Sequence, residues 1–175
     1  SYAMNYGKNG DTRGGKLMGA YNGWGFQTVG ECAQGHNSAI TTDDGRAFLV
    51  CHTKFNDGTA GHQVRAHQLF TNSDGWLVAS PFRYNGEMVT DADIASAQPF
   101  TAAELAGTYK LLIHKYGMDY ANYEEVTPIE ITLSEDGKIT GGKTGTWTIT
   151  EGTGYISLVL GGIKYNGVVT EEVMD

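Results

Sequence analysis

A chain of 175 residues with 25 glycines, 10 tyrosines, 6 phenylalanines and 3 tryptophans but only 3 prolines has the composition of short strands joined by tight turns, which points to an all-β fold. Its formal net charge is -8, divided as -2 over residues 1–100 and -6 over residues 101–175. An acidic surface without a lysine or arginine stripe repels a phosphate backbone, so no nucleic acid partner is expected, while a neutral partner such as a sugar is compatible with it.

Residues 1–37 are rich in glycine and polar residues and do not look able to supply neighbouring sheets. The stretch Ser1 to Tyr6 lacks the basic and apolar regions of a signal peptide, and no apolar stretch approaches the length of a bilayer span, so no membrane partner is expected. Asp-Gly pairs at Asp44-Gly45, Asp57-Gly58, Asp74-Gly75 and Asp136-Gly137 are hairpin-turn signals, because this pair tolerates positive φ. The first three frame 47–53, 62–70 and 76–79 as an antiparallel meander. Phe48 to Cys51 is apolar at consecutive positions, the pattern of a strand covered on both faces.

A linker-like stretch follows Glu87 through Asp91 to Pro99, and Thr101-Ala102-Ala103-Glu104 offers a capping box for one helical turn. The domain boundary is placed here, between 1–98 and 99–175. Strands are expected at 107–115, 129–134, 144–150, 154–160 and 163–170, with spacing that suits a small antiparallel barrel or sandwich. The sequence stops at Asp175 directly after the last of them, which suggests truncation of this module, the alternative being a complete open sandwich.

Chemistry-bearing residues are sparse. Cys32 and Cys51 are too few for a disulfide framework. Of the histidines, His62 and His67 are five apart in one strand and so face opposite ways, which argues against joint metal chelation, and His52 reads as a packed or hydrogen-bonded strand residue. His36 lies in Gln34-Gly35-His36-Asn37-Ser38 at what reads as a loop before a strand. Two readings of it stand: Asn37 and Ser38 cap a turn beside an incidental histidine, or the loop displays a functional group where Gly35 permits close approach. Asp43, Asp44, Asp57, Asp74 and Asp136 fit turn chemistry, and Glu124, Glu125, Glu171 and Glu172 read as solvated edge charges. No acid stands out as half of a glycosidase pair or sits where burial would clearly raise its pKa. Trp24, Trp76, Tyr84 and Trp147 could stack on sugar rings but in a β-rich chain are more often core.

The ordered blocks Lys16 to Tyr21, Gly35 to Ile40, Phe48 to Phe55, His62 to Phe70 and Asp74 to Glu87 resemble the last propeller blade of the endo-arabinanases of glycoside hydrolase family 43. Residues 104–170, notably Gly107-Thr108-Tyr109-Lys110, Asp136 to Gly141 and Gly145-Thr146-Trp147, are similar to the small β-barrel that follows that propeller. The resemblance implies the final part of a five-bladed β-propeller followed by a small antiparallel barrel or sandwich. It also implies hydrolysis of α-1,5-linked arabinan with inversion, by one carboxylic acid and one carboxylate. The motifs bearing those two groups fall before residue 1, so no catalytic residue is expected here, and an N-terminal propeller fragment of the same enzyme would be the partner. His36 matches the histidine of the family's Gly-His-Asn-Ser motif, which implies contact with a calcium-type cation, largely through water; Asn37 beside it is the candidate substrate-binding residue. The substrate class favours a secreted or periplasmic location. The departures are Cys51, where a large residue is common, and Ala66, where valine is usual. The competing reading is a non-catalytic carbohydrate-binding β-protein.

Overall fold

A computed structural model describes residues 16–25, 27–59, 61–98, 100–114 and 125–173. Within them two antiparallel sheets account for nearly all the regular structure. The first joins β1 (Glu31–Thr41), β2 (Ala47–Phe55), β3 (His62–Thr71) and β4 (Leu77–Ala79) in the order of the chain. The second is a six-stranded meander of β5 (Gly107–Leu111), β6 (Ile129–Leu133), β7 (Lys138–Gly141), β8 (Gly145–Ile149), β9 (Tyr155–Leu160) and β10 (Ile163–Val168).

The all-β expectation holds, and so does the turn chemistry: Gly45, Gly58, Gly75 and Gly137 all take positive φ, between 76° and 85°, as a tight reversal after Asp requires. Phe48 and Cys51 are both buried although they project to opposite faces of β2. Several strand limits differ from expectation. The strand expected over 107–115 stops at Leu111, and β10 stops at Val168. The four-residue β7 is additional; it pairs through Lys138 with Thr146 and Ile139 with Gly145.

One further correction concerns a segment read as irregular. The supposed linker contains α1 (Asp91–Ser96), started by a capping box in which Asp93 N–H donates to the Thr90 hydroxyl and Thr90 N–H donates to the Asp93 carboxylate. Ile94 in this helix is fully buried, and its carbonyl accepts from Gly154 N–H at 2.8 Å. The expected capping box at Thr101 and Glu104 is present and starts α2 (Ala102–Leu105). Tyr21, in the segment read as unable to supply neighbouring sheets, is buried and its N–H donates to the Glu31 carbonyl at 3.1 Å. Of that segment, residues 1–15 and Phe26 lie outside the described residues, as does Glu124.

The second sheet curls around its own core of Ile131, Leu133, Ile139, Trp147 and Leu160, with Ala102 and Leu105 of α2 packed on it. The sheets are tied by polar clasps. The Asn72 amide donates to the Asn166 carbonyl at 3.0 Å, and the Asn166 amide donates to Asp74. Residues 170–173 run back to the first sheet, where Val173 N–H donates to Glu87 at 2.8 Å and the Ser80 hydroxyl donates to Glu172 at 2.7 Å. Trp24, Tyr84 and Trp147 are packed, as expected of aromatic residues in such a fold; Trp76 is 71% exposed on the β3–β4 turn.

Candidate functional site

His36 is not in a loop before a strand but inside β1, and the local backbone explains both its position and its direction. Cys32 pairs with Lys54, Gly35 with His52 and Ser38 with Val50, so at two successive places β1 sets two residues against one on β2. These are β-bulges, and the first residue of each, Ala33 and His36, has positive φ (51° and 45°). A left-handed backbone on residues other than glycine costs about 1–3 kcal/mol each, and such strain is concentrated at functional sites. In a regular strand His36 would point away from the face that Gly35 shares with His52. The bulge turns it back, so that His36 Nδ1 lies 3.2 Å from His52 Nδ1.

Gly35 makes this possible from below, since a Cβ there would stand 3.3 Å from His52 Cε1. Its role as a point of close approach is real, and what approaches is His52. His52 also meets the His62 ring edge to face, with centroids 5.1 Å apart. His36 and His62 are exposed and His52 is half-buried, so the three imidazoles form a row across β1, β2 and β3 at the rim of the sheet. Asn37 lies next to His36 on the second bulge and is exposed. His67, as its spacing requires, points to the other face. His114 packs on Gly19, outside the row.

That other face is a buried polar layer. Glu31 accepts from Arg65 Nε at 3.2 Å and from the Gln27 amide at 3.0 Å, and is 1% exposed. Cys51 pairs opposite Arg65, and His67 follows two residues along on the same face. His67 Nδ1 lies 3.0 Å from the Ser80 carbonyl, so Nδ1 carries the proton and donates it. Burial lowers the His67 pKa below the usual 6.5, pushes the Cys51 thiol up and, helped by the Glu31 charge, raises Tyr21 as well. For His67 the sign is definite. The unfolded chain binds the proton more readily, so His67 stabilises the fold fully above about pH 6.5, and stability falls as pH drops through that value towards the lowered folded one. Urea midpoints at pH 8 and pH 5.5 should differ more in the parent than in His67→Asn, which retains a side-chain N–H; an equal difference in both would contradict the assignment.

The acids also need one correction. Glu172 is not a solvated edge charge: burial raises its pKa, against the Ser80 hydroxyl bond that lowers it. Glu87 is also buried, which pushes its pKa up, but backbone N–H groups led by Asn85 and Val173 outweigh this and hold it below the usual range. Two carboxyls with opposed shifts imitate a glycosidase acid and base. Their partners say otherwise. Glu87 accepts from Asn85 and Val173 with separate oxygens, Glu172 is bound by Ser80, and the recess they share with Gln68, Tyr84 and Thr170 is too narrow for a sugar ring. The pair clasps residues 170–173 to the first sheet. Glu171 is exposed, and Glu125 accepts from the Asn56 amide.

The family model of the glycoside hydrolase family 43 C-terminal lipocalin-like domain matches residues 81–175. The chain belongs to this family. It is 40% identical over 159 residues to the extracellular endo-α-(1→5)-L-arabinanase 2 of Bacillus subtilis (strain 168), covering 87% of this chain and 31% of that protein. It is 32% identical over 155 residues to the extracellular endo-α-(1→5)-L-arabinanase of Thermotoga petrophila, covering 84% of this chain and 30% of that one. The crystal structure of the glycoside hydrolase family 43 YxiA protein from Bacillus licheniformis superposes with a TM-score of 0.75 at 34% identity, over 89% of this chain and 32% of that one. This family 43 chain thus spans less than a third of the length of the curated relatives it matches.

Proposed function

We propose that the chain is the C-terminal portion of an arabinan-cleaving glycosidase, dividing at residues 98 and 99 into the last blade of a five-bladed propeller and a lipocalin-like accessory domain. The four-stranded meander has the form of such a blade, and Ile40 and Val64 stand exposed on it as apolar surface that a neighbouring blade would cover. The substrate would be α-1,5-linked arabinan or its oligosaccharides, cleaved by inversion. An inverting pair needs one carboxyl to protonate the leaving oxygen and another, about 6.5–9.5 Å away, to activate water. With Glu87 and Glu172 committed to the clasp, those groups would come from sequence outside these 175 residues. The extracellular names of the relatives support secretion.

The observation that carries this reading is the second bulge of β1, which spends backbone strain to aim His36. In the proposed enzyme His36 faces the central channel and contacts a calcium-type cation through water, with Asn37 beside the substrate. The donor set fits a water-held ion. Among the described residues no three metal-ligating side chains converge, and a hard cation prefers oxygen donors, so an imidazole meets it best by accepting from a bound water. The cation would supply positive charge that polarises water and orients the sugar. Replacing His36 by alanine is expected to lower arabinan cleavage by the complete enzyme about 10–100-fold and to weaken its cation dependence. Unchanged rates, with and without chelator, in the variant and parent would refute the role.

A further inference from the structure

The contact between His36 Nδ1 and His52 Nδ1, at 3.2 Å, constrains chemistry as well as position. Two imidazole nitrogens at this separation bond only if one carries a proton and the other presents its lone pair. The choice is decided by what His36 must do, and so rests on the reading above. A water held by a cation turns its oxygen to the metal and its hydrogens outward, so its protein partner must accept. We infer that His52 is a positioning residue that accepts the Nδ1 proton of His36 and thereby holds His36 in the tautomer whose Nε2 lone pair is bare.

Three features of the sheet prepare His52 for this task. Gly35, opposite it in register, has no Cβ to push the ring aside. The edge of the His62 contact limits rotation on the other side, with ring planes 77° apart. The strained φ of His36 fixes the direction from which Nδ1 arrives. With its own Nδ1 accepting, neutral His52 carries its proton on Nε2. A histidine that meets a metal commonly has its tautomer set in this way by the bond its other nitrogen makes, and loss of such a partner costs 10–100-fold in metal affinity.

The test uses the complete enzyme labelled with 15N in its histidines, at mildly alkaline pH and without added cation, and reads the tautomer of His36 from its ring nitrogen shifts. The expected result is a protonated Nδ1 and a bare Nε2 in the parent, a shift of His36 towards the Nε2–H form in His52→Ala, and recovery in His52→Asn, whose amide oxygen can accept. Calorimetry with Ca2+ should show affinity about 10-fold weaker in His52→Ala. A parent His36 protonated on Nε2, or a tautomer unmoved by His52→Ala, overturns the inference even if Ca2+ binds. If the tautomer responds as expected while the parent binds no Ca2+, the positioning role stands and the cation reading fails.

Discussion

Replacing Glu31 by alanine is expected to destabilise the first sheet by about 3–5 kcal/mol, although Glu31 touches no proposed substrate. The reason is the charge left behind. The side chains of Arg65 and Glu31 are 12% and 2% exposed, and the Arg65 guanidinium lies over the Phe55 ring at 5.0 Å, a favourable contact that does not neutralise it. The Gln63 carbonyl accepts from the other end of Arg65 at 2.7 Å, but an amide dipole does not replace a carboxylate. A buried ion pair need not itself be strongly stabilising, since both charges were taken out of water to make it. The double variant Glu31→Leu with Arg65→Met should therefore recover most of what Glu31→Ala loses. Urea unfolding of the three proteins decides the matter: a loss below about 1 kcal/mol in Glu31→Ala would mean that the pair behaves like a screened surface contact.

Truncating Trp147 to alanine should cost a similar 3–5 kcal/mol, this time in the second sheet. Trp147 is 2% exposed and fills the middle of the curled meander among Ile131, Leu133, Ile139 and Leu160. Its indole N–H donates to the Ser134 carbonyl at 2.9 Å, which ties the core to the turn between β6 and β7. Trp147→Phe retains most of the apolar area but leaves that carbonyl without its donor, so about 1–3 kcal/mol is expected from that change. Ile163→Ala, at a site 59% exposed, provides the control and should fall within about 0.5 kcal/mol of the parent. If Trp147→Ala unfolds at the same denaturant concentration as this control, the core has been misplaced.

The parts of this fold that could be read from sequence are those set by local chemistry. Each Asp-Gly pair marked a turn because its glycine takes a backbone conformation that side chains resist, and Thr101 with Glu104 marked a helix start because their mutual bonds are closed within four residues. What escaped depends on partners far away or on broken periodicity. The two bulges in β1 have no glycine at their left-handed positions, only Ala33 and His36, and each shifts the alternation of faces by one residue, so the segment reads as a loop. Helix α1 offered one buried side chain, Ile94, and a shorter acid, Asp93, where a capping box is usually closed by Glu or Gln. Glu172 looked solvated because Ser80, its partner, is 92 positions away. His36 was singled out through the family motif, whereas the role proposed for His52 depends on register and bulge bringing the rings together.

The most direct measurement compares the isolated 175-residue chain with the longer protein of family 43 length on linear α-1,5-arabinan, at equal molar concentration and with Ca2+ present. Cleavage by the longer protein and no turnover by the isolated chain is the predicted result. Turnover by the isolated chain at a comparable rate would contradict it, since the acid and base would then lie among these residues.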